Sequence, residues 1–114
     1  MCLYDWDPAK NRENLRKHDV SFETAATSFE DQWILSRKDI SHDDAEERYN
    51  ALAEIAPGVV LFIVYTYREL NEDEIIRIIS ARSASAQEKR SYEEARSRAK
   101  AGDRSPRRQD RRYD

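Results

Sequence analysis

An α+β fold is predicted by three observations on the sequence. An aspartate–proline pair at 7–8 starts a helix, the run "VVLFIVYTY" at 59–67 is apolar on both faces, and a Ser-x-x-Glu spacing at 85–88 opens a closing helix. The expected order is two N-terminal helices, a four-stranded antiparallel sheet and a C-terminal helix, in one compact domain over residues 1–100 of the 114. A basic tail over 101–114 has no apolar periodicity and is expected to be disordered in isolation.

Each element has a local cause. The Asp7 carboxylate can accept the orphan amide protons of a first turn whose opening angle Pro8 fixes, so a helix runs over 8–18. "HDVSF" breaks it, and Ser21 can cap a second helix over 22–29, with Phe22, Ala25, Ala26 and Phe29 at helical spacing. "QWILSR" reads as the first strand, and the charged "KDISHDDAEE" as a hairpin or mobile loop. Residues 48–55 alternate, placing Tyr49, Ala51, Ala53 and Ile55 on one face, and Pro57–Gly58 turns the chain into the central strand. "RELNEDE" leads to a last strand, "IIRIISAR", at 75–82, and the capping box then starts a polar, weakly amphipathic helix over 86–100.

Composition limits the function classes. Hydrophobic residues make up 39% and charged residues 38%, which suits a small core under an ionised surface. No run approaches the roughly 20 apolar residues of a membrane helix, and "MCLYDWDPAK" is too acidic for a secretory signal, so a cytoplasmic location without membrane contact is expected. Residues 1–95 carry 12 Lys/Arg against 20 Asp/Glu, whereas residues 96–114 carry 8 against 3. An acidic body with a basic tail argues against a broad nucleic-acid surface and leaves room only for a local basic pocket. Transcription-factor function is disfavoured too, since no helix carries a basic recognition face. The single Cys2 excludes an internal disulfide. With no His-x-x-x-His, cysteine pair or Gly-rich phosphate loop, no metal and no cofactor is expected.

The arginines of the last two strands stand out. By strict alternation Arg77 shares a face with Ile75 and Ile79, while Arg82 follows Ile76, Ile78 and Ser80 on the other; Arg68 leaves the central strand near the turn. A half-buried guanidinium requires a carboxylate or a ligand, and Glu23, Glu47 or Asp31 could each supply the former. His18 ends the first helix, where a cation suits the dipole, and His42 lies in the charged loop. Trp6, Trp33, Tyr49, Tyr65 and Tyr67 read first as core and strand formers and second as stacking platforms for bases.

Four segments in order, "WDPAKNRENLRKHDVSFETAATSFED", "SHDDAEERY", "VYTYR" and "IRIISARSASAQEKRSYEE", resemble the BrnT family of type II toxin–antitoxin toxins over about residues 4–95. The resemblance implies a RelE-like ribonuclease that cleaves RNA without a metal and arrests translation and growth, with the ribosome as a candidate presenter of the RNA. It also implies a BrnA-type ribbon-helix-helix antitoxin that neutralises the toxin and links it, indirectly, to operator DNA. On the family's motifs, Arg48, Arg68 and Arg82 stand as phosphate and transition-state ligands, Glu47 as a base or an orienting ion-pair partner, and His18 as a proton-transfer candidate. Lys10, Lys17 and Arg77 stand as RNA contacts. The rival reading is a catalytically inactive binding module that keeps the fold and engages only the antitoxin or another protein partner.

Overall fold

A computed structural model describes residues 1–39 and 47–101. Three helices and a five-stranded mixed sheet form an α+β fold. In chain order these are β1 (Cys2–Asp5), α1 (Pro8–His18), α2 (Phe22–Thr27) with a 3₁₀ turn over Ser28–Glu30, β2 (Leu35–Lys38), β3 (Arg48–Ala56), β4 (Val59–Leu70), β5 (Asp73–Ser83) and α3 (Ala86–Ala101). The basic tail from residue 102 and His42 lie outside the described residues. Among the described residues no helix is long and apolar enough to cross a membrane.

The helix signals act as the sequence predicts. Asp7 accepts from the Ala9 amide at 2.8 Å and Ser21 from the Thr24 amide at 3.1 Å. Ser85 and Glu88 exchange both bonds of a capping box, at 3.1 and 2.8 Å. α1 ends at His18 as expected, and its C-cap is Asp19, whose left-handed φ of 59° lets its amide donate to the Leu15 carbonyl.

The sheet order is β1-β5-β4-β3-β2. β2 to β5 form the expected antiparallel meander, but a strand precedes both helices and the sheet is not purely antiparallel. β1 adds to the outer edge of β5 in parallel, with Leu3 opposite Ile75 and Asp5 opposite Arg77. Four exposed residues without alternation gave no local sign of a strand; the pairing arises from partners some 70 positions away.

One face of the sheet carries the larger core. Ala51, Ala53, Leu61, Ile63, Tyr65, Ile76, Ile78 and Ala81 pack under Val20, Phe22, Ala25 and Phe29 of the α1–α2 region. The opposite face is covered at one end only, where Leu52, Val60 and Leu35 meet Tyr92 of α3, with Trp33 and Phe62 at the margin. Beyond β1 the edge of β5 lacks a strand partner among the described residues, and α1 supplies a substitute. The buried Asn14 side chain donates to the Ala81 and Val20 carbonyls, both at 2.8 Å, and accepts from the Ala81 amide at 3.2 Å. Asn14→Ala should therefore lower unfolding free energy by about 1–3 kcal/mol, the cost of leaving such groups unpaired, measurable by urea titration.

Strict alternation fails in β5. Val64 pairs with Ser80 but Tyr65 with Ile78, so a bulge at Ile79 shifts the phase of the strand. Arg82, opposite Phe62, therefore shares the face of Arg77, opposite Thr66, contrary to the period-two reading. An extra residue that opposes nothing absorbs one step of the alternation, which sequence spacing alone does not reveal.

Candidate functional site

The sheet face that α3 covers only in part presents arginines from four strands. Phe62, Thr66 and Arg68 share one side of β4. In register with them are Arg48 opposite Thr66 on β3, Arg77 opposite Thr66 and Arg82 opposite Phe62 on β5, and Arg37 opposite Asn50 on β2. Apart from Arg37, these are the arginines singled out in the sequence. Two of them, Arg68 and Arg77, line a hollow of about 240 Å³ together with Asp5, Thr66 and Ile75. Arg48 stands directly across from Thr66, at a separation of roughly 5 Å between Cβ atoms for such a pair.

The arginines differ in what holds them. Arg77 donates to the Asp5 carboxylate, its register partner on β1, and both groups remain about half exposed. Arg68 is exposed and makes no hydrogen bond or ion pair within the described residues. Arg82 is engaged elsewhere. Its guanidinium grips both oxygens of Glu88 at 2.8 and 3.0 Å and lies 4.2 Å from the centre of the Phe62 ring, so it fastens the first turn of α3 to the sheet. Arg77 and Arg82 thus take their carboxylates from Asp5 and Glu88. The three expected carboxylates serve other partners: Glu23 accepts from Asn11, Glu47 from Lys38, and Asp31 from Tyr92.

The Arg82 bond, followed by the Ser85 amide, holds the Glu88 carboxyl below its ordinary value of 4.5, against an opposing effect of burial. A group depressed in the folded state adds stability that is complete above that ordinary value and is lost as pH falls through the folded one. Thermal unfolding of Glu88→Gln should therefore show a shallower loss between about pH 5 and pH 3 than the parent.

The remaining sequence candidates lie apart from the hollow. Glu47 accepts from Lys38 at 3.0 Å and from the Tyr49 hydroxyl at 3.1 Å, bonds that lower its pKa. Lys38 and Tyr49 are register partners on the α1–α2 side of the sheet, whereas Arg48 points to the other. Lys10, Lys17 and His18 are exposed on α1, and none lines the hollow. Lys17 pairs with Glu13 at 3.3 Å. Sequence reasoning missed Asp5, because β1 was not visible, and Thr66, a polar residue within an apolar strand whose significance depends on its neighbours across the sheet.

Comparison with known proteins accords with this architecture. The family described as "Ribonuclease toxin, BrnT, of type II toxin-antitoxin system" matches residues 6–88. The crystal structure of the Brucella abortus ribonuclease toxin BrnT superposes with a TM-score of 0.50 at 21% identity, over 75% of this chain and 97% of that one, a likeness of fold. No curated protein matches. The matched segment spans α1 to the start of α3 and contains Arg48, Thr66, Arg68 and Arg77, and the chain belongs to the BrnT family of ribonuclease toxins of type II toxin–antitoxin systems.

Proposed function

We propose that this chain is a RelE-like, metal-independent endoribonuclease that cleaves RNA at the open part of its sheet face, inhibits translation and growth, and is neutralised by a BrnA-type antitoxin. The carrying observation is that Arg68 and Arg77 line one hollow with Arg48 beside it, on the face that α3 leaves uncovered. Two or three guanidiniums offer bidentate donors to a phosphodiester and stabilise the extra charge that builds up when a 2′-hydroxyl attacks it. In that step the 2′-hydroxyl gives its proton to water and bonds to phosphorus, the P–O5′ bond breaks, and the 5′-oxygen leaves as an alcohol with a proton from water. Asp5 fixes the direction of Arg77 without occupying Arg68. In this reading Arg48, Arg68 and Arg77 hold the reacting phosphate, and Arg82 secures the α3 end of the site. Lys10, Lys17 and His18 on α1 meet flanking RNA, and Glu47 acts as an ion-pair partner, here of Lys38. The antitoxin, a ribbon-helix-helix protein that joins the toxin to operator DNA, covers the arginine face with an acidic segment, which would block substrate and neutralise the cations together.

The reaction chemistry supplies the test. Purified chain should cleave RNA in the presence of EDTA, alone or with ribosomes, leaving a 2′,3′-cyclic phosphate, and a 2′-deoxy substitution at the cleaved nucleotide should stop it. Cleavage that needs a divalent ion, or that ignores the 2′-deoxy substitution, would sink the mechanism. Absence of cleavage under every condition, with antitoxin binding retained, would favour the inactive binding module.

A further inference from the structure

We propose that the Thr66 hydroxyl is a substrate ligand, donating its hydrogen bond to a non-bridging oxygen of the RNA phosphodiester between Arg48, Arg68 and Arg77. The inference rests on the functional reading above and adds a neutral donor to a set of cations.

Thr66 is 8% exposed, one of four buried polar residues among those described, with Asn14, Ser28 and Asn50. The Asn14 amide serves the edge of β5, and the Ser28 hydroxyl donates to the Ala25 carbonyl at 2.6 Å. Asn50 also has an interaction, but Thr66 makes none through its side chain within the described residues. A buried hydroxyl without a partner is unfavourable, and fold stability alone would favour the isosteric valine. Valine already occupies position 64, on the same face of the same strand.

What surrounds Thr66 points to the kind of acceptor it suits. The residue lines the hollow with Arg68 and Arg77, and it lies in register between Arg48 on one neighbouring strand and Arg77 on the other. A hydroxyl both donates and accepts, but the arginines in register with it can only donate, so the group that complements the set as a whole is an anion rich in acceptor oxygens. Among the described residues Asp5 is the one carboxylate lining the hollow, and it is already bonded to Arg77. A phosphodiester offers two non-bridging oxygens, enough for a guanidinium and the hydroxyl at once. In contrast to the arginines, which attract any anion, a fixed neutral donor of this kind favours one orientation of the phosphate.

The test compares the full chain with Thr66→Val, Thr66→Ser and Arg68→Ala. Three readings are taken: RNA cleavage, binding of the same RNA with a 2′-deoxy block at the cleaved nucleotide, and thermal unfolding. Thr66→Val should cut kcat/KM by about 10- to 100-fold, as expected for one hydrogen bond to a charged group, and weaken the blocked RNA, while its Tm stays equal or rises. Thr66→Ser, which keeps the hydroxyl, should restore most of the cleavage. If Thr66→Val cleaves and binds like the parent while Arg68→Ala fails, the Thr66 role is wrong and the arginine site stands. If Arg68→Ala is also unimpaired, the site itself is misassigned and the Thr66 role falls with it. A lowered Tm in both Thr66 variants would assign the residue to the fold instead, and would overturn the proposal as well.

Discussion

Arg68→Ala is expected to reduce RNA cleavage by about 100- to 1,000-fold, the usual loss when one preorganised donor to a developing charge is removed. The residue is unusual among the sheet arginines in being uncommitted. Arg77 is held by Asp5 and Arg82 by Glu88, whereas Arg68 is exposed beside the hollow with no ion pair within the described residues. Its truncation removes no hydrogen bond or ion pair within the described residues, so the unfolding free energy should stay within about 0.5 kcal/mol of the parent. Arg68→Lys keeps the charge but loses the planar fork, and should recover only part of the activity. Single-turnover cleavage, read beside a urea titration of the same preparations, separates the two effects. Unimpaired cleavage by Arg68→Ala would remove the central cation from the mechanism. Arg77→Ala is a less clean probe, because it also leaves the Asp5 carboxylate without its partner.

Tyr92→Ala should cost about 3–5 kcal/mol of unfolding free energy, the range for deleting a large buried ring. Tyr92 is 0% exposed and is the largest fully buried side chain described. Its ring fills the space above Leu35, Leu52 and Val60, and its hydroxyl donates to Asp31, which also accepts from the amides of Trp33 and Glu54 at 2.9 Å each. The Arg96 guanidinium lies 5.1 Å from the ring centre and pairs with Glu54 at 3.0 Å. One side chain thus ties α3 to β3 and to the loop before β2. Tyr92→Phe, which removes only the hydroxyl, should lose about 1–2 kcal/mol. Burial and the Asp31 bond raise the phenol above its ordinary value of 10.0. The stability this group adds is therefore complete below that value and declines as alkali carries the solution through the higher folded one. A loss under about 1 kcal/mol for Tyr92→Ala would show that α3 is only loosely docked.

These residues mark the limit of what the sequence discloses. Local signals were legible because their causes lie within a few positions. Asp7–Pro8 and the Ser85/Glu88 box place the starts of α1 and α3, and the alternation of 48–55 and the apolar run from 59 place the two central strands. What stayed hidden depends on distant partners. β1 exists because β5 offers an edge, the Ile79 bulge because β4 has one residue fewer, and the burial of Tyr92 because Asp31 sits 61 positions away. The site divides along the same line. Arg48, Arg68 and Arg82 stand on the family's motifs and share one face, but that Arg82 is tied to Glu88, and that Asp5 and Thr66 matter, emerges only once the strands are paired.

The pairing of β1 with β5 also bears on the order in which the molecule is made. Asp5 and Arg77 are separated by 72 positions, and loop closure over such a distance must precede the contact that rewards it. During synthesis the β3–β4 hairpin can emerge and fold while Arg77 is still inside the ribosome exit tunnel, so the nascent polypeptide has Arg68 but no finished cavity. A chain that stopped short of β5 would carry Arg48 and Arg68 but not Arg77, the register partner of Thr66, so the hollow would lack one of its walls.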